Sequence, residues 1–406
     1  MSAPPAGTEP ITAADVARWR ADTPGTQRRH HLNNAGAALP PRPVTDAVRT
    51  HLDLEAEIGG YEAAGAARAS IDDAYRAIAG LLRCAPGNIA MTSSATASYA
   101  QALSVFEFTA GDVIVTTSAD YLSNRLMFES LSARRGVRVL EAADLPSGGV
   151  DPESVAALVS AERPRLVAVT WVPTFGGLVQ RVEDVGEVCV AAGVPYLVDG
   201  CQAVGQLDID VTTVRCDFLA ATARKFLRGP RGVGFLYVSD GALARDWHPL
   251  LVDMRGAKWP APGGYALFDG ARRFEQWEQS HALVLGMGAA ARYALAAGVA
   301  RTAARAHALA AELRARLANI PGVRALDRGE RLSAIAAFEC AGPDASVLVR
   351  ALRERGVNTT AQTADENAVA LQRLGASSLL RVSPHYYNDE SDLDAIENAL
   401  RELLTQ

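Results

Sequence analysis

The chain has 406 residues, 49% of them hydrophobic and 21% charged, with a net charge of −6. That length exceeds one single-core domain and the composition is globular, so a large domain with a smaller companion is expected. No basic stripe offers itself to nucleic acid, and no apolar run is long enough for a bilayer. The five cysteines are scattered and never form a C-x-x-C pair, which argues against a disulfide framework and a zinc site. No secretory leader is visible at the N-terminus, so a cytoplasmic location is expected. Of the 40 basic residues only Lys225 and Lys258 are lysine, so chemistry that needs a primary amine has two candidates.

Residues 1–28 are polar, contain Pro and Ala, and read as a partly ordered arm. Residues 29–280 are expected to form the large domain, with 29–45 placed to pack against the small one. Within it Ser70–Leu82 has apolar residues at helical spacing, and Asp112–Thr117 is a short apolar run of strand length. Val150–Ala161 reads as a helix opened by Asp151, with Glu153 in its first turn. Arg165–Val172 and Val194–Asp199 are nearly continuous apolar runs, the signature of strands buried on both faces, with a helix over Val182–Ala192 between them. Phe218–Thr222 and Gly234–Val238 continue the series. Strands separated by helices imply a mostly parallel sheet covered on both sides. A looser Pro/Gly-rich stretch at 255–272 precedes residues 281–406, the expected smaller α+β domain. There a long helix over 280–318 leads to strands at Leu332–Phe338 and Leu379–Ser383, with helices at Ala345–Arg355 and Ser391–Leu404.

Four constellations carry chemistry. Asp199 ends a buried strand, at the sheet edge where open α/β folds bind ligands, and a carboxylate there pairs with a cationic ligand group; it serves equally well as a turn cap. Lys225 follows a strand ending in Thr222 and precedes a tight Gly229-Pro230 turn, so it reaches back to the same edge. Burial and neighbouring arginines would favour its free amine. The hydroxyl-rich run Met91–Ser98 precedes a helix, and amides at a helix N-terminus cradle phosphate, although a plain N-cap reads the same way. Arg381 lies at a small-domain strand end, where a guanidinium clamps a carboxylate or forms an ordinary salt bridge.

In this order the four resemble the class V aminotransferases, the cysteine desulfurase-like branch of fold-type I pyridoxal-phosphate enzymes. The resemblance covers roughly residues 30–400 and is most specific over 198–238, VDGCQAVGQLDIDV…CDFLAATARKFLRGPRGVGFLYV. It implies that Lys225 holds the cofactor covalently, that Asp199 faces the pyridine nitrogen, and that Gln202 bonds the ring hydroxyl. It further implies that Ala95, Thr96, Thr222 and Arg224 hold the phosphate, with Leu122 standing where many relatives stack a histidine on the ring. Arg381 matches the substrate-carboxylate arginine, and Asn34 (in the segment Asn33–Gly36), Tyr61 and Thr174 are placed at the substrate. A homodimer with sites at the subunit interface and a small amino-acid substrate are implied as well.

Desulfurases carry a nucleophilic cysteine on a small-domain loop; the matching stretch here, Asn358–Thr363, has none, and Cys340 lies in an apolar strand. The strings Glu57–Glu62, Arg224–Arg231 and Arg381–His385 resemble a subgroup holding hercynylcysteine sulfoxide lyases and isopenicillin N epimerase-like proteins. The expectation is therefore C–S bond cleavage by β-elimination of an S-substituted cysteine, with Tyr61, Tyr386 and Tyr387 as candidate proton donors. Epimerisation and transamination are the alternatives. A non-catalytic cofactor-binding protein would need neither Lys225 nor Arg381.

Overall fold

A computed structural model describes residues 10–405, and the side chains of all of these except 366–368. Seven strands form the central sheet: β1 (Ile89–Thr92), β2 (Val113–Thr117), β3 (Arg138–Ala142), β4 (Leu166–Thr170), β5 (Tyr196–Asp199), β6 (Phe218–Thr222) and β7 (Gly234–Val238). Their spatial order is β1-β7-β6-β5-β4-β2-β3, parallel from β6 through to β3, with β7 antiparallel to both of its neighbours. The uninterrupted apolar runs follow from this geometry. Side chains alternate in a strand, so Val167 and Val169 join one core while Leu166 and Ala168 join the other. Helices cover both faces, giving three layers.

The small domain holds a four-stranded antiparallel sheet of β8 (Val323–Ala325), β9 (Ala336–Cys340), β10 (Thr360–Gln362) and β11 (Leu379–Val382), in the order β8-β9-β11-β10. Helices Val299–Ala318, Ala345–Glu354 and Glu390–Leu404 contribute to its core.

Three expectations need correction. The helix expected over 280–318 is two helices, His281–Ala297 and Val299–Ala318, bent by 84° at Gly298, whose φ of +81° suits glycine and ends the first helix. The first of the pair packs into the large-domain core with Arg42–Ile58 and Arg68–Leu82. The expected arm is structured from residue 10 on, while residues 1–9 lie outside the described part. Helix Ala13–Ala21 opens with a capping box of Thr12 and Asp15, and its Trp19 is buried against Tyr386. The loose stretch at 255–272 contains a hairpin, Ala257–Ala261 with Gly264–Leu267.

Residues 30–33 pack with the small domain. His30 and His31 pair in parallel with Val357 and Asn358, and Asn33 bridges to Ser383. This brings the N-terminal segment beside the end of β11.

Candidate active site

The carboxyl ends of β4, β5 and β6 present Thr170, Asp199 and Thr222 at one edge of the sheet. Beside them helix Ala95–Leu103 begins, its N-cap Ser94 accepting from the Ala97 amide. Its first turn lies against β7 only because residue 234 is glycine: a Cβ there would meet the Ala95 nitrogen at 2.9 Å. The result is a cleft of about 290 Å³ lined by Ala95, Thr96, Tyr121, Asn124, Asp199, Cys201, Thr222, Arg224, Lys225 and Arg231.

Lys225 is buried in this cleft, held by a loop in which the Arg228 amide donates to the Lys225 carbonyl (2.8 Å) and the Gly229 amide to Ala223. Burial pushes its amine below the usual lysine range, aided by Arg224 and Arg381 and opposed by Cys201 and Asp199. Its Nζ stands 5.8 Å from the centroid of the Tyr121 ring. Asp199 accepts from the Cys201 amide (2.9 Å) and from Asn124 Nδ2 (3.0 Å). Gln202 is buried and donates to the Ala35 carbonyl (3.0 Å), while its Oε1 has no partner among the described residues. An orphaned buried acceptor three residues along the chain from Asp199 fits a ligand hydroxyl.

Arg381 is buried at the end of β11. Its NH1 donates to the carbonyl and hydroxyl of Thr174 (2.7 and 2.9 Å) and its NH2 to Asn33 Oδ1 (3.3 Å). Arg224 lines the cleft and also donates to the Gly36 carbonyl.

Several expected residues stand elsewhere. Leu122 is exposed as the first residue of helix Leu122–Arg135; Tyr121, its N-cap, lines the cleft instead, its amide held by Asp120 and Thr170. Asn34 is fully buried with its amide consumed, donating to Ser383 and accepting from the Tyr387 hydroxyl, so Asn33 is the residue beside Arg381. Tyr61 is 80% exposed and lines a different cleft, with Trp277, Arg255 and Arg272. Tyr386 and Tyr387 are buried away from the Lys225 cleft, hydrogen-bonded to Arg228 and Asn34.

Tyr121, Asn124, Arg231 and Cys201 line the cleft beyond the residues expected there. The Asp120…Asn124 spacing, one helical turn at a helix start, was a signal for the first two. Cys201 lies in the cleft, but burial and the Asp199 charge push its thiol far above the usual range. The other cysteines are raised too, Cys340 to about 11 and Cys84 and Cys189 to about 12, with burial as the main cause in each.

A family model for class V aminotransferases matches residues 30–396. The chain belongs to that family. Its cofactor is pyridoxal phosphate, and its fold is that of the fold-type I enzymes. A probable hercynylcysteine sulfoxide lyase of Mycobacterium tuberculosis is 29% identical over 388 residues, covering 94% of this chain and 92% of that protein. A probable cysteine desulfurase of Methanothermobacter thermautotrophicus is 27% identical over 394 residues, 95% of this chain and 97% of that one. Among solved structures, a cysteine desulfurase of Escherichia coli aligns with a TM-score of 0.86 at 25% identity, covering 96% and 99% of the two chains.

Proposed function

We propose that this class V enzyme cleaves the Cβ–S bond of an S-substituted cysteine by elimination, without holding sulfur on a cysteine of its own. The observation that carries this reading is the placement of the thiols: the small-domain stretch Asn358–Thr363 holds no cysteine, and of the five only Cys201 lines the cleft, where burial and the Asp199 charge disfavour its thiolate. The similarity to a sulfoxide lyase along nearly the whole chain supports it.

In this reading the helix N-terminus at Ala95, with Thr96, Thr222, Arg224 and Arg231, holds the phosphate. Asp199 would pair with the ring nitrogen, and the free Gln202 oxygen would accept from the ring hydroxyl. When bound, the cofactor supplies a sink for the electron pair left at Cα. Lys225, biased by burial towards the free amine, takes the Cα proton. Arg381, oriented by Thr174 and Asn33, grips the substrate carboxylate in a two-pronged bond. Tyr121, facing Lys225 across the cleft, replaces Tyr61, Tyr386 and Tyr387 as the candidate donor to the departing sulfur.

Desulfuration is the second reading, favoured by the desulfurase relatives and by Cys201 in the cleft. Mass spectrometry of products from a panel of S-substituted cysteines separates the two. The wild type and a variant with all five cysteines replaced should both form pyruvate with thiol or sulfenate. Loss of turnover in the folded, cofactor-loaded variant, restored by returning Cys201, would establish the persulfide route. Inverted substrate would instead reveal an epimerase, and a keto acid retaining the side chain an aminotransferase.

A homodimer belongs to the same proposal. Tyr61 and Trp277 are exposed in one cleft, and Leu250, Leu251, Met254 and Trp259 are exposed on the chain segment leading to Trp277. So much exposed apolar side chain marks a surface that is covered in the assembly. Light scattering should give twice the monomer mass; a monomer at micromolar concentration would refute the dimer.

A further inference from the structure

Behind Asp199 lies a second carboxylate that none of the roles above uses. Asp120 ends the loop after β2, and its carboxylate is enclosed by donors. Oδ2 accepts from the Thr116 hydroxyl (2.6 Å), while Oδ1 accepts from the Tyr121 amide (2.7 Å), the Thr170 hydroxyl and Asn124 Nδ2 (3.0 Å). The backbone amide and the side-chain amide fix Oδ1 as an acceptor, and the four donors together favour the ionised carboxylate. Burial and the Asp199 charge draw its proton affinity up, and the hydrogen bonds oppose that shift.

Asn124 is the link. Its Nδ2 lies 3.0 Å from Asp120 Oδ1 and 3.0 Å from Asp199 Oδ2, so one NH2 group spans two carboxylates. Like charges this close cost free energy unless a cation joins them. Lys225 is the basic group facing Asp199, and burial disfavours its charge. The arrangement therefore has an appetite for a cation at Asp199, on the side that Asn124 and the Cys201 amide leave open.

We infer that Asp120 is a positioning residue which, through the shared amide of Asn124, orients Asp199 and deepens the negative potential that Asp199 presents to the protonated ring nitrogen of the cofactor. By accepting from the Tyr121 amide, the same carboxylate also fixes the residue whose ring faces Lys225. The inference rests on the reading of Asp199 as the ring-nitrogen partner.

The test compares the affinity of full-length apoenzyme for pyridoxal phosphate with that for its carbocyclic analogue, in which CH replaces the ring nitrogen. A structural defect weakens both ligands alike, whereas an electrostatic one acts only on the ligand with the nitrogen. Asp120→Asn should lower the preference for pyridoxal phosphate by about tenfold, the scale expected from removing a like charge one amide away. Asn124→Ala keeps both charges and removes their shared donor, so it should raise the preference; it also decides the matter if Asp120→Asn does not fold. Asp199→Asn, run alongside, should abolish the preference. If it does not, the reading of Asp199 fails. If it does while folded Asp120→Asn or Asn124→Ala keeps the wild-type preference, the role of Asp120 alone is overturned.

Discussion

Arg228 offers a direct test of how the Lys225 loop is held. The residue is fully buried, with no carboxylate partner among the described residues. Its NE donates to the Leu39 carbonyl (3.0 Å), NH1 to the Tyr386 hydroxyl (2.7 Å) and NH2 to the Thr23 hydroxyl. Its guanidinium carbon lies 4.4, 5.2 and 5.6 Å from the ring centroids of Tyr387, Tyr386 and Tyr293. This cage joins the N-terminal segment, the lysine loop and the small domain.

Truncation to alanine strands buried acceptors at about 1–3 kcal/mol each and forfeits cation–π attraction of about 2 kcal/mol in a desolvated cage. Relief from burying a charge offsets part of this, leaving a net loss of about 3–5 kcal/mol. The backbone adds a second, independent expectation. Arg228 has φ of +63°, a left-handed conformation costing a non-glycine residue about 1–2 kcal/mol. Arg228→Gly should therefore be about 1 kcal/mol more stable than Arg228→Ala, although it removes more of the side chain. Urea denaturation of the apoenzyme followed by tryptophan fluorescence reads both numbers, because Trp19 packs 4.9 Å from Tyr386 beside the cage. A loss below about 1 kcal/mol for alanine, or an alanine variant as stable as the glycine one, refutes the assignment.

Two further outcomes follow from the same region and from the cleft. His385 accepts from the Tyr386 amide at Nδ1 (2.9 Å) and donates from Nε2 to the Phe226 carbonyl (2.8 Å), which fixes its neutral form. Burial first, and then Arg228, push its pKa from 6.5 down to about 3, with smaller effects from His31 and His307. The unfolded chain binds this proton and the folded one does not, so stability falls as pH drops below the unfolded value, by about 2 kcal/mol at pH 5. His385→Gln should flatten that acid limb in pH-dependent denaturation, and an unchanged slope would show that other groups set it. Borohydride reduction of the loaded enzyme with peptide mapping should place the pyridoxyl group on Lys225; finding it on Lys258, exposed on the hairpin, would sink the site assignment.

Local pattern is enough for β2, β4, β5, β6 and β7 of the central sheet, and leaves β1 and β3 unread. The continuous apolar runs of β4 and β5 require burial on both faces, and lysine scarcity with a strand-turn context singled out Lys225 before any contact was known. Positions in turns behaved differently. Whether Tyr121 or Leu122 faces the cleft, and whether Asn33 or Asn34 meets Arg381, depends on backbone angles fixed by distant partners such as Thr170, Ser383 and Tyr387. The break at Gly298 is likewise legible only as a glycine, because the sequence does not say which glycine will take a positive φ. Periodicity reports which face of an element is apolar, an average over many residues. The direction of one side chain at a cap or a turn is set by a few long-range hydrogen bonds, and those exist only once the chain has folded.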